Sequence, residues 1–142
     1  MAEFKGGVKG AAELLAHMDT RGRERILKEI GQKDPDMAET LRKNMVTFED
    51  LRHMTPQMLA KLLQEIDLSD VALGLRLGSD ELKSFFFQNM SKGRQQEIQD
   101  VLMGPPQSVN KVEEAIERVM DVVRQKMDKG EIVLDPNGDE YV

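Results

Sequence analysis

The stretch Thr55-Pro56-Gln57-Met58-Leu59-Ala60-Lys61-Leu62-Leu63-Gln64-Glu65-Ile66-Asp67-Leu68-Ser69-Asp70-Val71-Ala72-Leu73-Gly74-Leu75-Arg76-Leu77-Gly78-Ser79 decides the fold class. Thr55 offers a side-chain cap, and Pro56 stands at the first helical position, where its missing N–H costs nothing. Met58, Leu59, Leu62, Leu63 and Ile66 then recur at helical spacing. Asp67 to Leu77 reads as a second helix, short and very apolar, with the charge of Arg76 near its end. Gly78 closes it and Ser79 caps the next.

The same grammar runs outward in both directions. Upstream, Val8, Ala11, Ala12, Leu15 and Met18 follow the Gly6-Gly7 breaker. Arg21 to Ile30 carries Ile26, Leu27 and Ile30. Asp34-Pro35 is another cap and proline start, before Met37, Leu41 and Met45. Val46 to Met54 reads as a connection holding Phe48 and Leu51. Downstream, a helix from Asp80 to Met90 bears Leu82, Phe85, Phe86 and Met90, and Ser91 caps a further one to about Met103. Gly104-Pro105-Pro106 is the strongest break, because proline stops helix propagation, and Ser108 restarts it. The longest helix, Val109 to about Lys129, has the stripe Val112, Ile116, Val119, Met120, Val123 and Met127. Lys126 and Lys129 suit its C-terminal dipole, and Gly130 its cap. Ile132-Val133-Leu134 reads as a short extended run before the turn Asp135-Pro136-Asn137-Gly138.

No strand-rich region exists, so the expected class is all-α. Short helices on short caps predict a right-angled stack. The expected division is a flexible tail over 1–6, a helical unit over 7–45, a connector over 46–55, a larger helical domain over 56–134 and a polar tail over 135–142. The first unit is too small to enclose a core alone, so it is expected to pack on something else.

Composition narrows the function. The net charge of −6 argues against a nucleic-acid partner, which needs a basic stripe to displace counterions. With five Phe, one Tyr and no Trp, the ten Met together with Leu and Val must fill the interior. No cysteine is present, which removes thiolate chemistry and Cys-based metal sites. No apolar run of about 20 residues exists to span a bilayer. His17 and His53 form no metal-spaced pair, and Gly6 to Gly10 follows no strand and lacks the Lys-Ser/Thr ending of a phosphate loop. Glu49-Asp50 and Glu113-Glu114 read as solvated faces among 26 acidic residues. Nothing makes a case for catalysis, a metal or a cofactor. Helical surface and charge placement remain.

An ordered series of short motifs carries a resemblance. They are Gly6-Gly7-Val8 with Ala11-Ala12-Glu13-Leu14-Leu15; Asp34-Pro35; Phe48-Glu49-Asp50-Leu51; Leu62-Leu63-Gln64-Glu65-Ile66-Asp67; Ala72-Leu73; Asn89-Met90-Ser91-Lys92; Gly104-Pro105; Val112-Glu113-Glu114-Ala115; and Gly130-Glu131-Ile132-Val133. In order and spacing this resembles the C-terminal region of the flagellar motor switch protein FliG, over about residues 6 to 142. The resemblance implies an armadillo-like, right-handed helical stack in a rotor protein, held in the cytoplasm at the inner-membrane basal body. It implies contact with a MotA-like stator domain and FliM-like switch proteins, and self-association into a ring.

Carried over residue by residue, the family's torque charges fall on Arg76 and Asp100, while other family charges fall on Gly93, Val101 and Gln107. Arg94 stands beside Gly93 as a substitute, and Lys92, Arg94, Glu97 and Asp100 make an alternative charge set with Arg76. The family hinge, Met-Phe-x-Phe, reads here Met45-Val46-Thr47-Phe48 with one aromatic missing. Met18, Ile26, Leu27, Met37 and Leu41 are the expected stacking surface toward a neighbouring subunit. Two other readings remain open: a helical scaffold that kept the fold and lost the torque role, and a regulatory domain resembling the N-domain of magnesium transporters.

Overall fold

A computed structural model describes residues 7–134, so the tails at 1–6 and 135–142, with the turn at Asp135–Gly138, lie outside it. All regular elements among the described residues are helical, and the all-α expectation holds. They fall into two compact units, residues 7–46 and Thr47–Leu134.

The first unit is α1 (Gly7–Ala16), α2 (Thr20–Lys33) and α3 (Pro35–Asn44). Asp19 caps α2 by accepting from Gly22 N at 3.4 Å, and Asp34 caps α3 by accepting from Met37 N at 3.1 Å. Ala12, Leu15, Leu27, Leu41 and Met45 close a small core, with Val8, Ile26 and Ile30 packed against it. The Arg42 guanidinium forks onto both Glu24 carboxylate oxygens at 3.2 and 2.9 Å, joining α3 to α2.

The second unit opens with the 3-10 helix Phe48–His53. Asp50 folds its carboxylate back to accept from Thr47 N at 2.8 Å and Thr47 Oγ1 at 3.1 Å, which starts that turn firmly. Five α-helices follow: α4 (Pro56–Leu63), α5 (Leu68–Leu75), α6 (Asp80–Gln88), α7 (Lys92–Leu102) and α8 (Val109–Asp128). Thr55, Ser79, Ser91 and Ser108 each accept from a backbone N–H three residues on, as the sequence predicts.

Helix α5 is the centre of this unit and packs against both α7 and α8. Val71, Ala72, Gly74 and Leu75 are all buried. A Cβ on Gly74 would meet Ile116 Cγ1 and Phe48 Cζ at 2.9 Å each, so glycine lets the 3-10 helix and α8 close on α5 here without either side chain having to shift. Phe48 stacks on Phe86 of α6 with ring centroids 6.4 Å apart, and Leu51 is fully buried. The segment read as a connector therefore supplies core side chains to the larger unit. Glu49 reinforces it by accepting from Ser79 N at 2.7 Å and Ser79 Oγ at 2.6 Å, which locks the start of α6 to the 3-10 helix.

Helix α8 buries Val112, Ala115, Val119, Met120, Val123 and Lys126. Lys126 continues the apolar stripe, and its stem is buried while its ammonium pairs with Glu131 at 2.8 Å and Glu65 at 3.3 Å. The hydrogen bond to Glu131 holds the Lys126 pKa above its ordinary value, and the same bond holds the Glu131 carboxyl below its own. Gly130 turns the chain with φ +73°, and Ile132 packs away at 1% exposure. The run Ile132–Leu134 forms no strand.

Candidate interaction surface

Helix α7 is built to stay on the outside. Of its eleven residues only Ile98 is buried. Ser91 caps its start, and Gln95 Nε2 donates to Phe87 O at 2.8 Å and Met90 O at 3.0 Å, tying its first turn to the end of α6. Lys92, Gln96 and Asp100 follow at four-residue spacing on the face turned away from Ile98. Gln96 Nε2 donates to Asp100 Oδ1 at 2.9 Å along that face. Glu97 flanks it, and with Asp100, Leu68, Ser69 and Val101 it lines a cleft of 260 Å³ beside the start of α5.

The structure separates the charges that the sequence groups together. Lys92, Glu97 and Asp100 are exposed, on or beside the outer face of α7. Arg94 is exposed as well but lies one turn before Ile98, off that face. Arg76 is not a free surface charge. It sits half-buried at the end of α5, with Nη1 donating to Pro105 O at 2.9 Å and Nη2 donating to Val101 O. Its Nε is buried without a hydrogen-bond partner. Of the positions where the resemblance leads one to expect a charge, Gly93 and Gln107 are exposed and Val101 is half-buried.

The first unit redraws its expected surface in the same way. Leu27 and Leu41, expected to face a neighbour, are 1% and 4% exposed and belong to the unit's own core. Ile26 packs partly against that core. Met18 and Met37 remain exposed, as does Leu14 at 72%, which the helical stripe of Val8, Ala12 and Leu15 leaves on another side. Leu14 was not among the residues expected at that surface; its displacement from the apolar stripe is the signal in the sequence that would have found it. Met45 and Val46 are buried at the end of the first unit, and Thr47 and Phe48 begin the second.

Further charge pairs join distant elements. Arg118 of α8 forks onto Asp70 of α5 at 3.1 and 2.9 Å, and this hydrogen bond raises the Arg118 pKa. Among the described residues no three His, Asp or Glu side chains gather as a metal-holding group, so the magnesium-binding alternative finds no ligand set there. No described helix is long and apolar enough to cross a membrane.

Known proteins agree with this architecture. FliG from Thermotoga maritima is 35% identical over 137 residues, covering 95% of this chain. The chain spans 41% of that relative's length. A solved FliG fragment from Helicobacter pylori superposes with a TM-score of 0.78 over 93% of this chain and 59% of its own, at 22% identity, which speaks for fold alone. Full-length FliG from Aquifex aeolicus gives a TM-score of 0.60 at 31% identity, over 92% of this chain and 40% of its own. The FliG C-terminal domain family matches residues 28–134, from within α2 to the end of the described chain. With both helical units and the exposed α7 face inside or overlapping that span, the chain belongs to the FliG C-terminal domain family.

Proposed function

We propose that this protein is a rotor component of a flagellar motor switch that meets a MotA-like stator domain through α7. The observation that carries the reading is the lopsided burial of α7: Ile98 anchors it, and Lys92, Glu97 and Asp100 stand in solvent. Exposed ionic contacts are individually weak and salt-screened, so they can form and break at each passage of a moving partner. They orient an encounter more than they hold it. Arg94 adds a basic group at the start of the helix. On this reading the chain works at the cytoplasmic face of the basal body and also contacts FliM-like switch proteins. Copies associate into a ring through Met18 and Met37 of the first unit, and Met45 to Phe48 serves as the hinge. The test is reversal of charge, Lys92→Glu and Asp100→Lys, in a strain whose swimming depends on this protein. Loss of torque with normal protein levels is expected. Unimpaired swimming and switching of both variants would sink the stator assignment.

A scaffold that has lost the torque role is the second reading, favoured by the uncharged Gly93, Val101 and Gln107. A Cβ at position 93 meets nothing within 4 Å, so Gly93→Lys adds a charge at an open, exposed position. Raised torque in Gly93→Lys with Gln107→Arg supports the motor reading, and no change supports the scaffold.

A further inference from the structure

We infer that Arg76 is a positioning residue that sets the C-terminal turn of α7, rather than a charge offered to a partner. Its importance to partner contact rests on the stator reading above; its structural action does not. Helix α7 ends with no basic residue in its last turn, and neither does α5. Both helices therefore end without a local cation to balance the partial negative charge of their final carbonyls. Arg76, immediately after α5, supplies one to α7 through its guanidinium. Its backbone N–H closes α5 onto Leu73 O at 3.1 Å, while its guanidinium reaches 25 residues along the chain to Val101 O and 29 to Pro105 O.

The receiving turn is shaped for this guanidinium. Val101 O accepts from Gly104 N at 3.2 Å, and Pro105 and Pro106, with no N–H, offer no further backbone donor, so the guanidinium takes that carbonyl's second lone pair. A Cβ on Gly104 would lie 3.3 Å from both Asp100 O and Val101 O and 3.5 Å from Arg76 Nη2, which leaves little room for a larger residue. The planar fork of arginine spans two acceptors at once, and a lysine ammonium on a flexible stem does not reproduce that geometry. Because Val101 follows Asp100 directly, the clamp fixes the outer-face carboxylate in register with the rest of α7.

Arg76→Lys keeps the charge and loses the fork. Arg76→Gln loses the charge and keeps a donor. If Arg76 positions the turn, amide exchange at Met103 and Gly104 rises about tenfold or more in Arg76→Lys, the effect of losing a charge-assisted hydrogen bond, while amides of α8 around Val123 are unchanged. Arg76→Gln, which loses both the fork and the charge, shows the same rise, and both variants swim poorly. A contact charge predicts instead that Lys equals the native protein and only Gln is impaired. Native exchange rates at Met103 and Gly104 in Arg76→Lys, or native swimming of Arg76→Lys beside an impaired Arg76→Gln, overturns the inference. Arg76→Gln carries the exchange measurement if Arg76→Lys does not fold. Failure of the stator reading shows separately, as normal swimming of Lys92→Glu and Asp100→Lys.

Discussion

Helices α5 and α7 pack against each other, and they obey opposite rules. In α5 four of eight residues are buried, on a helix whose neighbours are α7 and α8. In α7 one of eleven is buried. An apolar helix enclosed by others is specified by the shapes around it, so each of its side chains matters to stability. A helix resting on one anchor is specified by its caps and by contacts at its ends, so its exposed positions can change at little cost. That contrast explains how this chain can carry an uncharged residue at Gly93 of α7, where the resemblance expects a charge, and keep the family's fold.

The largest test of the contrast is Leu75→Ala. Leu75 is fully buried in α5, and its truncation is expected to cost about 2–5 kcal/mol in chemical denaturation. A loss below about 1 kcal/mol would mean that α5 is not the packing centre. Gly74→Ala is subtler. Alanine gains about 1 kcal/mol of helix propensity over glycine, but its Cβ falls 2.9 Å from Ile116 and Phe48. Overpacking costs about 1–3 kcal/mol, so a net loss of roughly 1 kcal/mol is expected. A more stable Gly74→Ala protein would show that Phe48 yields freely and that the 3-10 helix is loosely held. The smallest effect belongs to α7: Lys92→Glu and Asp100→Lys should each leave stability within about 0.5 kcal/mol of native. A loss comparable to Leu75→Ala would erase the distinction between the two helices and undercut the reading of α7 as a free surface.

Much of this architecture was legible in the residues because it is local. Asp34, Thr55, Ser79, Ser91 and Ser108 cap helices three residues away, a relation that the chain displays directly. The stripe on α8 was legible for the same reason, up to the point where Lys126 takes an apolar position. There periodicity places the residue inside and its charge argues for the outside, and only the neighbouring Glu131 and Glu65 resolve the conflict. The stacking residues show the other limit. Leu27 and Met37 look alike on their helices, yet the first is 1% exposed and the second 39%.

From the order of residues alone came the helical class, the caps, the break at Gly104-Pro105-Pro106, the absence of a case for catalysis and the family resemblance, since each depends on groups within about one helical turn or on a pattern read along the chain. Tertiary structure alone decided which charges are free. Arg76 finds Val101 and Pro105, Glu49 finds Ser79, and Arg118 finds Asp70 across 25 to 48 residues. Such pairings depend on how helices close around α5, and a one-dimensional period carries no record of that closure.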